Sequence, residues 1–298
     1  MKIFTIIVTY NGMRWLKRCL DSLRASSVPT IPVVVDNNSS DGSASFVKEN
    51  YPEAVVFPQD KNLGFGQANN VGIRYALDND ADFVMLLNQD ASIEKDALKL
   101  MLDADDGVSM LSPVHLNGDG TKLDRDFKKA MLLSDNGFID DLAINNFKPI
   151  YKTEEVCAAC WLMPVSIIKK IGGFNPLFFH YGEDNNYLQR LDYHKIATNV
   201  VPTAFMYHDR DELFGNKKVF YRKWVYRMML IISTNINLSR KMRRKAYFRL
   251  LKDCYLAPLS RGHYFFGMFL VARIRILLQN GKINNSKKQE IQEKPSWL

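Results

Sequence analysis

The sequence predicts an α/β protein built on a wound, mostly parallel sheet flanked by helices. Three observations carry that reading. Over residues 1–110, apolar runs of strand length alternate with segments of helical period. A polar or glycine-rich cluster stands directly after each run. The composition, with 47% apolar and 24% charged residues in 298, is that of a globular chain long enough to bury a continuous core and still carry a cleft, which excludes disordered and collagen-like classes.

The elements follow in order. Residues 4–8 form an apolar run and read as a buried strand, since the run is too short for a signal segment. After Thr9-Tyr10-Asn11-Gly12, Trp15, Leu16, Cys19, Leu20 and Leu23 recur at helical spacing. Residues 32–35 are a second strand ending at Asp36, with a polar turn 37–42 and a helix over 43–49 behind it. A third strand at 54–57 leads to the glycine loop Asn62-Leu63-Gly64-Phe65-Gly66, which opens a helix over 67–77. The fourth strand, 83–87, ends at Asn88-Gln89-Asp90. Open α/β sheets bind ligands outside the carboxyl ends of their strands, so these clusters converge on one site. Beyond them, 112–156 reads as loop-rich and polar, 157–167 as strand then helix, and 171–190 as a glycine, aromatic and acidic stretch. Residues 200–208 read as a strand that delivers His208 to the same edge, and from about 215 the chain reads as basic helices with a frayed polar tail over 280–298.

Charge divides the chain in two. Residues 1–214 hold 21 Lys/Arg and 29 Asp/Glu, a balance of −8, whereas 215–298 hold 19 and 3, a balance of +16. We therefore expect an acidic domain over 1–214 and a basic helical extension over 215–298, the latter suited to an anionic membrane surface or a polyanion. Two segments, 219–232 and 264–278, mix aromatic and aliphatic residues with arginines; each either packs on the core or lies in a membrane interface, and Arg273 and Arg275 argue against spanning. Four cysteines are too few and too scattered for a disulfide scaffold, so a cytoplasmic location is expected, possible membrane association being at the inner face of the cell membrane. Cys157-Ala158-Ala159-Cys160 lacks the second pair that a zinc site needs and reads as structural.

The candidate chemistry lies in carboxylates. Asp90, one step beyond a buried strand, is a candidate Mg2+ or Mn2+ ligand, because hard cations that bridge phosphates take few protein oxygens. His208 is either a further ligand or a buried structural histidine. Glu183-Asp184, among aromatic residues, suits a general base, against the simpler reading of a solvated turn. Asp36 can accept hydrogen bonds from a base or sugar. The glycine loop has no Walker lysine, which disfavours P-loop chemistry.

The order of five motifs is more specific than any one of them. Residues 7–11, 34–42, 62–72, 86–90 and 172–184 together resemble family 2 glycosyltransferases of the GT-A fold, and most of all the bacterial rhamnosyltransferase-like branch that builds surface polysaccharides. The resemblance covers residues 3–210 and leaves the basic quarter unexplained. It implies an inverting transfer of a hexosyl or deoxyhexosyl group from a UDP- or dTDP-sugar to a hydroxyl of a glycan or lipid-linked acceptor, with a donor half over 1–110 and an acceptor half over 111–214. By the same resemblance Thr9, Tyr10, Asn11, Asp36 and Asn38 hold the nucleotide, and Asn62, Gly66 and Asn69 line the donor pocket. Asn88-Gln89-Asp90 stands in place of the D-x-D motif, so ligation rests on Asp90 with His208. Asp184 is the implied base, and Trp161, Gly173 and Glu183 the implied acceptor contacts. The competing readings are a nucleotidyltransferase, which lacks its basic glycine loop after the first strand, and a non-catalytic nucleotide-sugar or glycan binder. Nucleic acid is not an expected partner.

Overall fold

In a computed structural model, the structure describes residues 1–210, 217–256, 262–294 and 296–298, with the side chains of 217–221, 256 and 262–265 outside that description. The domain boundary expected at 214 also lies outside the described residues. The acidic part carries β1 (Ile3–Thr9), α1 (Met13–Arg24), β2 (Ile31–Asp36), α2 (Ser43–Asn50), β3 (Val55–Pro58), α3 (Phe65–Asp78), β4 (Phe83–Leu87), β5 (Ala91–Ile93) and α4 (Ala97–Asp103). It continues through β6 (Met110–Asn117), α5 (Arg125–Ser134), α6 (Phe138–Ile144), β7 (Tyr151–Lys152), β8 (Cys160–Pro164), α7 (Val165–Ile171), α8 (Glu183–Tyr193) and β9 (Thr198–His208). The basic part is helical: α9 (Lys217–Thr234), α10 (Arg240–Leu256), α11 (Gly262–Leu278) and α12 (Asn280–Glu290).

The sheet runs β3-β2-β1-β4-β8-β6-β9-β5, with β7 on β9. Its first four strands are parallel, as expected, but β8 runs antiparallel between β4 and β6, and β5 and β7 run antiparallel to β9. The sheet is therefore mixed in its second half. Residues 112–156, read as loop, contain most of β6, two helices and β7. Ser112, Pro113 and His115 break the apolar run of β6 although all three positions are buried. The α5 helix starts where Asp124 accepts hydrogen bonds from the amides of Asp126 and Phe127, a cap of the usual kind.

Side chains of β1 alternate between two cores. Phe4 and Ile6 face the layer holding Ile73, Trp161 and Phe174, while Ile3 and Ile7 face the layer under α1, where Leu16, Cys19, Leu20 and Leu23 are buried. Full burial of each large aliphatic side chain is worth roughly 1.5–3 kcal/mol. Gly72 lets α3 close on the sheet, since a Cβ there would stand 2.4 Å from Ile6 Cγ2. A third core of Val225, Met229, Leu250, Met268 and Ile276 joins the basic helices to one another and to Phe178.

The last residues are not frayed. Residues 280–290 are helical, the Gly173 amide donates to the Ser296 carbonyl at 2.9 Å, and Leu298 packs on the main core. The tail's polar composition concealed this because its anchors are single buried groups, Ile283, Ser286 and Glu290, among solvated lysines.

Candidate active site

The carboxyl ends of β1, β2 and β4 are tied together by side-chain amides. Gln89 Oε1 accepts from Thr9 Oγ1 at 2.7 Å and from the Tyr10 amide at 2.9 Å, which fixes the end of β4 to the end of β1. Gly12 lies close beside it: an added Cβ would stand 2.3 Å from Gln89 Oε1 and 2.4 Å from Thr9 Oγ1 and would displace that contact. Asn11, in the left-handed region at φ 50°, accepts from the Ser40 amide at 2.9 Å. Asn38 shares that conformation, at φ 67°, and with it turns the chain beyond β2. Asp36 is buried; one carboxylate oxygen accepts from the Ser39 amide, and the other is buried with no partner among the described residues. Asn37 then joins this turn to the glycine loop, donating to the Gly64 carbonyl and accepting from the Leu63 amide.

The pairing of β5 with β9 creates the acidic centre. Ala91 lies opposite His208, and the Asp209 amide donates to the Asp90 carbonyl at 2.8 Å, so the strand ends set Asp90 and His208 side by side. His208 Nε2 is 3.4 Å from Asp90 Oδ1, and its Nδ1 is 3.6 Å from Asp124 Oδ2. The imidazole thus stands between two carboxylates, and because Arg210 Nε donates to Nδ1 the neutral ring carries its proton on Nε2, facing Asp90. Asn88 Oδ1, nearby, is buried with no partner among the described residues. The Asp90 and Asn88 oxygens form a donor set that fits Mg2+ or Mn2+ with positions left for phosphate and water, and His208 Nε2 would join it on release of its proton.

Arg210, which sequence reasoning passed over, organises the wall behind this centre. Its Nε donates to Asp124 Oδ2 at 2.8 Å and to His208 Nδ1 at 3.1 Å, its Nη1 to Asp126 at 2.7 Å and its Nη2 to Cys157 Sγ at 3.4 Å. Burial alone would raise the Asp126 carboxyl, but Arg125 and Arg210 hold it below its ordinary value. Possible ligand atoms of His115, Cys157 and His208 lie within 4.8 Å of one another. The guanidinium already supplies positive charge at that spot, and burial pushes the Cys157 thiol up to about 12, so thiolate ligation is disfavoured. The C-x-x-C pair is unbonded, with both cysteines free.

The carboxyl pair opens α8. Tyr181 and Gly182 precede it in the left-handed region, at φ 67° and 98°, and Arg227 of α9 stacks on the Tyr181 ring at 4.2 Å. Glu183 is buried with Oε2 unpartnered; burial and then the neighbouring Asp184 charge push its carboxyl up to about 7. Burial also raises Asp184, against the Asn185 amide and the charge of Arg210.

One cavity of about 1490 Å³ receives these groups. Of the residues singled out from the sequence, Tyr10, Asn62, Asn88, Gln89, Asp90, Glu183, Asp184 and His208 line it. Thr9, Asn11, Asp36 and Asn38 are not among the lining residues; they build the strand end and turns beyond β1 and β2. Gly66 permits contact with Phe174, whose Cβ an added methyl would approach to 2.8 Å. Asn69 turns away, donating to the Phe65 carbonyl within α3, and is 1% exposed. Trp161 and Gly173 do not reach the cavity. Trp161 is fully buried against Phe174 and Tyr187, and Gly173 sits where a Cβ would be 2.3 Å from Asn70 Oδ1. Their role here is packing: Asn70 brackets Phe174, accepting from its amide at 2.6 Å and donating to its carbonyl at 2.8 Å. The cavity is further lined by Trp15, Phe65, Phe179 and Tyr181, whose aromatic character in polar surroundings was the available signal.

Solved structures share this fold. Staphylococcal TarS (residues 1–349, S. aureus) in complex with UDP-GlcNAc superposes with a TM-score of 0.59 at 17% identity, over 98% of this chain and 88% of that one. A mannosyltransferase from Pyrobaculum calidifontis in complex with GDP-Man and Mn2+ gives 0.61 at 16% identity, over 97% and 84%. The sequence model of glycosyl transferase family 2 matches residues 5–172, and the chain belongs to that family. Among curated relatives, the low-salt glycan biosynthesis hexosyltransferase Agl10 of Haloferax volcanii is 28% identical over 191 residues, 62% of this chain and 60% of that protein. The chain thus spans about three-fifths of that relative's length. The N-acetylglucosaminyl-diphospho-decaprenol L-rhamnosyltransferase of Mycobacterium tuberculosis is 26% identical over 70% of this chain and 76% of its own length.

Proposed function

We propose that the chain is an inverting glycosyltransferase that moves a hexosyl or deoxyhexosyl group from a UDP- or dTDP-sugar to a hydroxyl of a glycan or lipid-linked acceptor, in the synthesis of a surface polysaccharide. The observation that carries this reading is a single cavity lined both by Asp90, His208 and Asn88 and by the Glu183–Asp184 pair. Asp36 Oδ1 and the rim beyond β1 and β2 receive the nucleoside. Asp90, His208 and Asn88 Oδ1 would hold a divalent cation, which neutralises charge on the departing diphosphate. Asp184 takes the proton of the acceptor hydroxyl as that oxygen bonds the anomeric carbon, on the face opposite the breaking bond to the diphosphate. Burial raises both carboxyls of the pair and the Asp184 charge raises Glu183 further, so the two do not readily carry negative charge together. A second catalytic carboxylate on the leaving-group side is unnecessary, unlike in glycoside hydrolysis.

The relatives named above support the sugar-transfer class, and the mycobacterial one supports a lipid-diphosphate acceptor. The test combines a panel of nucleotide-diphosphate sugars with Asp184→Asn. Transfer is expected to fall by ~10²–10⁴-fold, the scale of a general base, while nucleotide-diphosphate affinity measured by calorimetry stays within twofold. Unchanged turnover overturns the assignment of the base; nucleotide binding without hydrolysis or transfer of any donor overturns the enzyme reading.

A further inference from the structure

Outside the active cavity, α10, α11 and α12 enclose a groove of about 260 Å³. Arg240, Arg243, Arg244, Arg273 and Lys287 line it, and among the described residues no acidic one does. Five cations at one groove repel one another: burial and then the charge of Arg243 lower the Lys287 ammonium from its ordinary value. Arg243 spends one nitrogen on the carbonyls of Asn235 and Leu238, yet its Nε is buried with no partner. Such a cluster is relieved by an anion with several acceptor oxygens.

The groove has an apolar border. Along α11, Phe266, Leu270, Val271, Ile274, Leu277 and Leu278 are between 44% and 81% exposed, and their spacing places them as a stripe along the helix. Leu277 belongs both to this stripe and to the groove wall, so the two features are continuous. Beside it, α10 exposes Lys241, Lys245, Arg249 and Lys252. A second copy of this surface would meet its own positive charge, and a nucleic acid would leave the stripe in water. An anionic amphiphile satisfies both parts. Among the described residues no helix is long and apolar enough to cross a membrane, which fits a surface contact.

We propose that the α10–α12 face docks on an anionic lipid surface, with the apolar stripe of α11 entering the acyl boundary and the cationic groove holding a lipid phosphate. This goes beyond the transferase reading and does not depend on it. The test is vesicle flotation of the full chain with phosphatidylcholine alone and with an equimolar mixture of phosphatidylcholine and phosphatidylglycerol. Binding is expected only to the mixture. Arg240→Gln with Arg244→Gln weakens it about 25-fold, at about fivefold per cation near the surface. Leu270→Gln with Ile274→Gln abolishes flotation. All four positions are exposed, and retention of the wild-type melting temperature and nucleotide-diphosphate affinity confirms folded variants. Equal binding to both vesicles, or unchanged flotation of the folded variants, overturns the proposal. Release from the mixture by inorganic phosphate at constant ionic strength also overturns it, assigning the groove to a soluble anion. A lipid-independent dimer that the Leu270 and Ile274 changes dissociate would assign the stripe to a second copy and overturn it likewise.

Discussion

Glu290 fastens the last helix to the helix that carries the carboxyl pair, and its removal has a calculable cost. Its Oε1 accepts from Asn175 Nδ2 at 2.7 Å and from Asn186 Nδ2 at 2.9 Å, while its backbone carbonyl lies 2.7 Å from His194 Nε2. All three residues of the side-chain network are at most 2% exposed. In Glu290→Ala, Asn175 keeps Ser286 Oγ at 2.6 Å, so only a modest term is lost there. Asn186 Nδ2 is left buried with no acceptor, a cost of about 1–3 kcal/mol. Relief of the unpartnered Glu290 Oε2 offsets part of the loss. The net expectation is about 2–3 kcal/mol, or roughly 4–12 °C in Tm at ~2–4 °C per kcal/mol. Glu290→Gln retains an acceptor oxygen and should lose less than about 1 kcal/mol. Urea unfolding followed by circular dichroism measures both, and kcat should fall with the Ala variant because Asn186 lies in the first turns of α8. An Ala variant within about 0.5 kcal/mol of wild type, or a Gln variant equally destabilised, would refute the reasoning.

Two further perturbations test the cavity walls. Gly64 has φ 80°, and a Cβ there would stand 1.9 Å from the Phe179 carbonyl oxygen, so Gly64→Ala should lower Tm and weaken nucleotide-diphosphate binding together; calorimetry on the variant would expose the error if affinity were unchanged. The Glu183 carboxyl moves from its ordinary 4.5 in the unfolded chain to about 7 in the fold. Its contribution to stability is therefore fully present below pH 4.5 and is lost as pH rises through about 7, because the unfolded chain ionises first. Urea midpoints taken between those values should decline with pH in the wild type and flatten in Glu183→Gln; parallel profiles would contradict the assignment.

Much of the acidic part was legible because its signals are local. The strands 83–87 and 200–208, the helix after Gly12 and the clusters at strand ends all come from apolar period and turn chemistry in short windows. What escaped depends on contacts between distant segments. The antiparallel insertion of β8 between β4 and β6 leaves no trace in period, and β6 hides behind a buried Ser112 and His115 that bond each other at 3.0 Å. Trp161 illustrates the same limit: an aromatic residue near a motif reads as a contact, whereas its burial against Phe174 is decided by β4, whose Leu86 pairs with it. Arg210 was invisible for the opposite reason, since its partners Asp124, Asp126 and Cys157 lie 86, 84 and 53 residues away.

The split of charge along the chain acquires a physical meaning from these contacts. Asp90, Asp124, Asp126, Glu183 and Asp184 all line one cavity, and a diphosphate entering it would meet a field of its own sign. Arg210 compensates part of that field, but its nitrogens are committed to Asp124 and Asp126. The remaining negative charge faces the cavity from Asp90, beside the unpartnered Asn88 oxygen, which is where a cation would restore complementarity. The basic helices do not supply that complement, yet they are more than an address. Arg227 of α9 holds the Tyr181 ring, and α12 holds α8 from below through Glu290, so the turn presenting Asp184 is braced on both sides by the part of the chain that the family match leaves uncovered. Excising the basic quarter would therefore remove the support of the carboxyl pair along with the cationic α10–α12 face.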